Sequence, residues 1–358
     1  RDQLEPQLRK QVLSDGVHFE RTISYHRFCL EALLICYSIG NSAGIRFSAE
    51  YGLRLERMSQ FIMDYTKPNK HCPIIGDNDD GRLLNLGLMQ INDHSYLFPI
   101  SDGGSKYPTR YLLEGKECVE TLSADSSAQY PEGGYYFLKH PDAYVVFRAG
   151  SLAYKGTHAH NDQLSFDLCI KNHDIFVDRG TCVYTPEPDV RNRYRSTEAH
   201  NVFQINEAEQ NPLGSTFSGL PDETRTEVKH FSYNSVEAEH QGFRELNRPD
   251  SRYVRRLELK ERSLIIKDSI SILHPGDEVT WYYHLAPGLN YRTNKNTVIT
   301  DDGLALCTLR VLFPAEVSVR EFDHSPSYGV LEEAKVIVIK LEISDPVSFE
   351  QFKFRVEW

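Results

Sequence analysis

YYFLKHPDAYVVFRAG (135–150) is the stretch at which the sequence changes from one kind of secondary structure to another. Before it, apolar residues recur at helical intervals, whereas from about Gly133 onward they fall in short runs typical of β-strands. Because no long helical pattern interrupts these runs before the C-terminus, we expect an antiparallel sheet folded as a layered sandwich. Later runs of this kind include QLSFDLCI (163–170), SLIIKDSISIL (263–273), VTWYYHLA (279–286) and VIVIKLEI (336–343).

The residues upstream of this point predict a helical domain. Helical spacing is clear over 28–37 and again over 51–62, and GNSAG (40–44) separates the two patterns. Three or four helices followed by a large β-region indicate either a small domain packed on the sheet or the end of a larger helical domain. The predicted fold class is α+β, with a helical domain over 1–120 and a β-domain over 121–358.

The charge of the chain excludes some classes of partner. There are 40 Lys and Arg residues against 51 Asp and Glu residues, which gives a net charge of -11. Such a chain is not suited to neutralising nucleic-acid phosphates, and no apolar run reaches the roughly 18 residues of a membrane span. An acidic substrate would need a local basic patch. Arg191, Arg193 and Arg195 are candidates for it, and the alternative is an exposed strand or loop with alternating charges.

The seven cysteines are scattered and include no CxxC pair. Their odd number leaves at least one thiol unpaired within the chain, which favours a reducing compartment.

The strongest chemical signal is THAHNDQLSFDL (157–168), followed by Asp178 and by EAHN (198–201). Imidazole and carboxylate groups suit zinc, which usually takes about four ligands. The cluster is therefore expected to hold a metal, to position a base, or both; the alternative is a set of histidines hydrogen-bonded at a sheet edge. A hairpin tip at Asn172-His173 would place Asp178 opposite residue 167, so 158–162 would have to fold back as a loop.

HAHND (158–162) is also similar to the HxHxDH motif of binuclear metallohydrolases. Gln163 stands where that motif has a histidine ligand, and the segment lies inside an all-β region. Both observations argue against a metallohydrolase.

Two further motifs precede the β-region. In DGVHFERTISYH (15–26), Tyr25 and His26 open a helix. Tyr25 is then either an amphipathic residue at the core edge or a proton donor whose pKa of about 10 is lowered by neighbouring cations. GDNDDGR (76–82) clusters carboxylates without the glutamate of an EF-hand, so it is a solvated turn or the lining of a sugar-binding cleft.

Taken together, these blocks resemble the heparinase II/III-like family. HAHNDQLSFDL, VDRGTCVY (177–184) and RNRYRSTEAHN (191–201) resemble its β-domain, and DGVHFERTISYH and PIIGDNDDGR resemble the last helices of the α/α toroid before it. The resemblance implies the remainder of an N-terminal α/α toroid followed by a large antiparallel β-sandwich.

Members of this family are polysaccharide lyases that cleave uronic-acid polysaccharides by β-elimination. The resemblance implies that Tyr25 is an acid/base, and that His158 is the base or neutralises the substrate carboxylate. It also implies a structural zinc held by His160, Asp178 and His200. Tyr184 and Tyr194 are candidates for a second catalytic tyrosine. The residues expected to contact substrate are His26, Asp79, Arg82, Asn161, Gln163, Arg191 and Arg195.

The sequence also departs from the family pattern. The family's carboxylate-neutralising asparagine belongs upstream of the Tyr25 segment, before the first residue of this chain, and Arg179 stands where proline is frequent. We therefore expect a fragment or a shortened member. The partner implied is an acidic polysaccharide or oligosaccharide, and the family's secreted members imply a periplasmic or secreted protein, against the reducing compartment that the cysteines favour. The alternative function is a non-catalytic carbohydrate-binding protein with a structural zinc.

Overall fold

A computed structural model describes residues 1–83, 90–98, 126–152, 154–183, 185–214, 219–301 and 306–358. In these ranges the α-helices are α1 (Leu4–Gln11), α2 (Ile23–Ser42), α3 (Ala49–Tyr65) and α4 (Pro188–Arg195). None of the helices in the described ranges is long and apolar enough to span a membrane. The predicted domain boundary at 120/121 lies outside the described residues.

The helices α2 and α3 contact each other, and the hydroxyl of Tyr51 on α3 donates to Leu33 O on α2 at 3.1 Å. α2 continues through Gly40 and ends at Ser42. Two residues later Gly44 adopts the left-handed conformation (φ +75°), and Ile45 N–H donates back to Gly40 O at 2.8 Å. This is the hydrogen bond of a glycine-terminated helix. α3 begins after Ser48, whose hydroxyl accepts from Tyr51 N–H at 3.2 Å.

The β-region folds into two antiparallel sheets. In the described residues, one sheet has nine strands in the order β1-β2-β3-β4-β5-β11-β16-β15 with β6 paired to β11, and the other has eight in the order β12-β13-β14-β17-β10-β9-β8-β7. The strands of the nine-stranded sheet are β1 (Ala128–Tyr130), β2 (Tyr135–His140), β3 (Ala143–Arg148), β4 (Phe166–Ile170), β5 (His173–Phe176), β6 (Phe203–Ile205), β11 (Glu278–Leu285), β15 (Glu316–His324) and β16 (Glu332–Glu342). Those of the eight-stranded sheet are β7 (Glu227–Phe231), β8 (Ser235–His240), β9 (Tyr253–Lys260), β10 (Ser263–Leu273), β12 (Asn290–Asn294), β13 (Thr297–Asp301), β14 (Leu306–Val311) and β17 (Val347–Glu357).

The strand β2 shows why the stretch at 135–150 is apolar on both faces. Successive side chains of a strand point to opposite faces. Tyr136 and Leu138 join the core between the two sheets, whereas Tyr135 and Phe137 join a second core against the helices. The nine-stranded sheet is therefore covered on one side by the eight-stranded sheet and, over its first strands, on the other side by α1–α3.

Contacts between α3 and the first strands fix the helices on the sheet. The Phe61 ring packs edge-on against Tyr130 and Tyr135, with ring centroids 4.8 and 5.1 Å apart. Asp64 accepts from Tyr130 Oη and from Lys139 Nζ, each at 2.7 Å. Burial of a phenylalanine side chain stabilises a fold by about 1.5–3 kcal/mol, so this junction contributes to the stability of both parts.

The β4–β5 hairpin turns at Lys171-Asn172, where both residues have positive φ (49° and 69°), and His173 starts the return strand. The expected hairpin is therefore present, but its tip lies one residue earlier than the predicted Asn172-His173. The two left-handed residues are those of a tight type I′ turn. Residues 158–162 form a loop between β3 and β4, as the cluster required.

One local expectation is wrong. Arg191, Arg193 and Arg195 lie on the helix α4, not on a strand or an exposed loop, and Pro188 occupies its first turn. Arg191 and Arg195 are four residues apart, so they share a helix face. That face is buried, while Arg193 is exposed.

Candidate active site and metal cluster

The site forms where the first turn of α2 meets the loop between β3 and β4. The rings of Tyr25 and His158 stack there, with centroids 4.1 Å apart and an interplanar angle of 23°. Both side chains are half-buried, so one edge of the pair stays accessible to solvent. The Tyr25 hydroxyl donates to Asp79 Oδ2 at 3.3 Å. The structure thus brings together two residues that lie 133 positions apart in sequence.

A buried carboxylate lies directly behind this pair. Asp77 is fully buried and accepts hydrogen bonds from His158 Nδ1 at 3.3 Å and from His160 Nε2 at 3.2 Å. Arg191 donates to the same carboxylate at 2.5 Å. Burial alone would raise the pKa of Asp77, but the hydrogen bonds from the two histidines and the charge of Arg191 outweigh it and hold that pKa well below its ordinary value.

The backbone allows this close approach because residue 76 is glycine. Gly76 has φ +77°, and a Cβ at this position would lie 2.5 Å from Thr22 Cγ2 and 2.9 Å from His158 O. The next residue, Asp77, donates its N–H to His158 O at 3.0 Å. The segment that carries Asp77 is thereby held against both the start of α2 and the His158 loop.

A second carboxylate faces the other side of the histidine ring. Glu20 Oε2 lies 3.9 Å from His158 Nε2. Burial raises the pKa of Glu20, and the neighbouring His158 opposes that shift. Nε2 is the ring nitrogen that does not contact Asp77, so the two carboxylates approach His158 at different nitrogens.

Sequence reasoning missed Asp77 and Glu20 as site residues. Both lie inside motifs that were singled out, since Asp77 belongs to GDNDDGR and Glu20 to DGVHFERTISYH. In the first motif Asp79 was selected as a candidate and Asp77 was not. The signal that separates them is the apolar segment before Asp77, CPII (72–75), which is typical of chain entering the interior.

His160, Asp178 and His200 come together behind His158 as a cluster that can hold a metal ion. Each residue offers one ligand atom, and these atoms lie within 4.8 Å of one another. All three side chains are buried, at most 3% exposed. Asp178 is the second residue after the end of β5, and His200 lies between a short 3₁₀ turn and β6. The hairpin and the β3–β4 loop thus converge on one point.

The donor set fits a cation of the zinc type. His160 Nδ1 and His200 Nε2 are buried and have no hydrogen-bond partner among the described residues. An imidazole nitrogen in that state is costly unless it binds something. His200 Nδ1 contacts Asp178 Oδ2 at 2.7 Å. Burial would lower the pKa of His200, but Asp178 outweighs it and raises that pKa.

Several residues predicted to contact substrate are buried and have protein partners instead. His26 Nε2 contacts Met58 O at 3.0 Å, Asn161 donates to Glu209 Oε2 at 2.7 Å, and Arg195 donates to Gly214 O at 2.8 Å. Gln163 accepts from Gly150 N–H at 3.1 Å. These positions suit residues that shape the walls of the site. Their contact with a substrate is still a prediction.

The remaining candidates for substrate contact are Asp79, Arg82 and Arg191. Asp79 is exposed beside Tyr25, and Arg82 donates to Gln90 O at 2.7 Å. Arg191 also donates to Thr157 O at 2.6 Å, which places its charge behind His158.

The structure describes one of the two candidates for a second catalytic tyrosine, Tyr194. Tyr194 is 3% exposed, lies under the Arg179 guanidinium at 4.7 Å, and has a pKa raised to about 12 by burial. Tyr184 lies outside the described residues.

Comparison with known sequences identifies the family. The family model described as heparinase II/III-like, C-terminal, matches residues 123–358, and the one described as heparinase II/III N-terminus matches residues 1–103. This chain belongs to the heparinase II/III family. The expected family is confirmed.

Curated relatives of this heparinase II/III chain include two proteins named heparin-sulfate lyase. The one from Pedobacter heparinus is 25% identical over 210 residues, which is 56% of this chain and 31% of the relative. The one from Bacteroides stercoris is 27% identical over 216 residues, which is 57% of this chain and 31% of the relative.

Solved heparinase structures share the fold. A structure of the heparan sulfate lyase HepC from Pedobacter heparinus matches 99% of this chain with a TM-score of 0.75 at 18% identity, and a heparinase III structure matches 99% with a TM-score of 0.74 at 16% identity. The match covers 54% and 55% of those chains, so this chain spans about half their length. The expected fold class, helices followed by a large antiparallel β-sandwich, is confirmed.

Proposed function

We propose that this chain carries the acid/base pair of a polysaccharide lyase that cleaves a uronic-acid polysaccharide by β-elimination. The observation that carries the proposal is the stacked Tyr25–His158 pair, half-exposed where the helices meet the β-sandwich and supported from behind by Asp77. Family membership and the names of the curated relatives support the same reaction class.

In β-elimination a base removes the proton from C5 of the uronate. The electron pair of the C5–H bond forms a C4–C5 double bond, the bond from C4 to the glycosidic oxygen breaks, and an acid protonates that oxygen. Because Asp77 holds His158 through Nδ1, Nε2 is the nitrogen that takes the C5 proton. The Tyr25 hydroxyl is the acid that protonates the leaving oxygen.

We infer that the substrate is a chain of the heparin or heparan sulfate type, because the curated relatives named above are heparin-sulfate lyases. The net charge of -11 gives no long-range attraction for such a polymer. Arg191 lies behind His158, but it is buried and its charge is paired with that of Asp77.

The proposed occupant of the His160–Asp178–His200 cluster is a structural zinc. Zinc would supply a fixed tie between the β3–β4 loop, the β5 hairpin and the segment before β6. The burial of all three side chains favours this role over hydrolysis, because a catalytic zinc keeps an open position for water.

The test of the lyase reaction is ultraviolet absorbance during incubation with heparin, heparan sulfate, alginate and other uronate polymers. The protein is expressed with any residues that its gene encodes before Arg1. β-Elimination creates a conjugated double bond that absorbs, whereas hydrolysis creates none. We expect a rise with heparin or heparan sulfate that is absent in His158→Ala. If the folded protein binds these polymers but the absorbance does not rise, the result contradicts the lyase reaction and favours the carbohydrate-binding alternative.

The proposed location is the periplasm or the outside of a bacterial cell, in keeping with bacterial relatives. The six cysteines of the described ranges are free thiols. Fractionation of the native cells tests the location directly.

A further inference from the structure

The two histidines of the HAH motif contact one carboxylate through different ring nitrogens. His158 approaches Asp77 Oδ2 with Nδ1, and His160 approaches Asp77 Oδ1 with Nε2. An ionised carboxylate only accepts hydrogen bonds, so each of these nitrogens must carry a hydrogen. In a neutral imidazole, the other nitrogen then has a lone pair and no hydrogen.

The consequence differs for the two rings. In His158 the nitrogen without a hydrogen is Nε2, which faces Glu20. In His160, a residue of the metal cluster, the nitrogen without a hydrogen is Nδ1, which is buried and has no hydrogen-bond partner among the described residues. One carboxylate thus prepares one histidine to accept a proton and the next to bind a cation.

We propose that Asp77 is a positioning residue that sets the tautomers of His158 and His160 together and so couples the metal cluster to the reacting histidine. The proposal goes beyond the proposed function by assigning a role to a residue outside the predicted site. It rests on that function only for the role of His158 in turnover. The tautomers and the metal affinity can be measured without any substrate.

Arg191 makes the two carboxylate oxygens of Asp77 unequal. It donates to Oδ2, the oxygen that also receives His158, whereas Oδ1 receives His160. In Asp77→Asn the amide oxygen therefore remains at the Oδ2 position. An amide nitrogen there would face two other N–H donors, from Arg191 and His158. The amide nitrogen then faces His160 Nε2, which must become an acceptor. Its hydrogen moves to Nδ1, where it competes with the metal.

The first measurement uses the unaltered chain and nitrogen NMR of histidine side chains above about pH 8, where an ordinary histidine is neutral. We expect His158 to carry its hydrogen on Nδ1 and His160 on Nε2. His158→Gln and His160→Gln assign the two signals. A hydrogen on Nε2 of His158 would overturn the proposal, whatever any Asp77 variant does.

The second measurement is zinc affinity of Asp77→Asn by competition with a chelator. We expect affinity to fall about 10- to 100-fold, the effect typical of losing a residue that orients a metal ligand. The matched control is Asp277→Asn, since Asp277 is also buried and held by an arginine, Arg248, at 2.8 Å. Its zinc affinity should match that of the unaltered chain.

Two outcomes separate a positioning role from a structural one. The proposal requires the His160 tautomer to switch in folded Asp77→Asn while His158 keeps its hydrogen on Nδ1. Unchanged zinc affinity together with an unchanged His160 tautomer would overturn it. If the tautomers and affinity behave as expected but no polymer is cleaved, the coupling stands and the lyase reaction fails.

Discussion

At the scale of single residues, the neighbours of each ring nitrogen decide what a histidine does. His158 and His160 are two positions apart, yet the first is half-buried beside Tyr25 and the second is fully buried beside His200. The same side chain is suited to proton transfer in one place and to metal binding in the other.

Substitution by alanine should separate these two roles. His158→Ala should abolish turnover but leave zinc content and the unfolding temperature close to those of the unaltered protein. His160→Ala should lose bound zinc and lower the unfolding temperature, because binding of a structural metal is part of the folding free energy. Metal analysis and thermal unfolding check both variants, and equal zinc loss in the two would contradict the separation.

Tyr25→Phe removes only the hydroxyl that donates to Asp79. We expect kcat to fall about 10²- to 10⁴-fold, the usual contribution of an acid/base group, with little change in KM. Stability should stay within about 0.5 kcal/mol, because the stacked ring is retained. Steady-state kinetics and urea unfolding provide the measurements. A variant with full kcat would remove Tyr25 from the mechanism.

At the scale of elements, the segment through Gly76 positions Asp77 between α2 and the β3–β4 loop. Gly76→Ala should destabilise the chain more than Gly44→Ala, although both glycines have similar φ values (+77° and +75°). A Cβ at Gly44 meets nothing within 4 Å among the described residues, so its effect is the left-handed conformation alone, about 1–2 kcal/mol.

At Gly76 the contacts with Thr22 and His158 O add overpacking of about 1–3 kcal/mol. Urea unfolding of the two variants gives the difference directly. Equal losses of stability would mean that the segment shifts without strain, and that Asp77 is held less firmly than the geometry indicates.

At the scale of the whole molecule, a buried ion pair ties the end of the helical part to the β-sandwich. Lys67, which follows α3, lies 2.6 Å from Asp174 on β5. Burial alone would raise the pKa of Asp174, but Lys67, together with hydrogen bonds from His71 and Asn69, outweighs it and holds that pKa well below its ordinary value. The pair's stabilisation is therefore present above the unfolded pKa of about 3.9 and is lost as pH falls through the lower folded value.

Asp174→Asn should lower the free energy of unfolding by roughly 3 kcal/mol at pH 7, because it leaves Lys67 buried with a weaker partner. Its further loss of stability below about pH 3.9 should be shallower than that of the unaltered chain. Glu321→Gln is the control, since Glu321 pairs with Lys335 on the surface and its loss should change little. Urea unfolding of Asp174→Asn and of the unaltered chain at a series of pH values tests this. If the free energy of unfolding falls equally steeply with acid in both proteins, the ion pair does not stabilise the fold.

The sequence by itself determined the kinds of element and the candidate chemistry. Helical spacing before Gly133 and apolar runs after it reflect which residues must leave water, and that requirement is local. The candidate metal ligands in the HAH motif, Asp178 and the EAHN histidine could also be named from the sequence, because only a few kinds of side chain can bind a cation.

Only the tertiary structure decided which of those groups meet. Asp77 and His158 are 81 residues apart, and the apolar segment before Asp77 indicates that this residue is buried but not that it meets His158. The alternating arginines of α4 likewise indicate an exposed segment when only the sequence is considered. In the structure Arg191 is buried, because Asp77 neutralises its charge. Long-range packing sets burial and charge pairing, and these fix which nitrogen of each histidine carries a hydrogen.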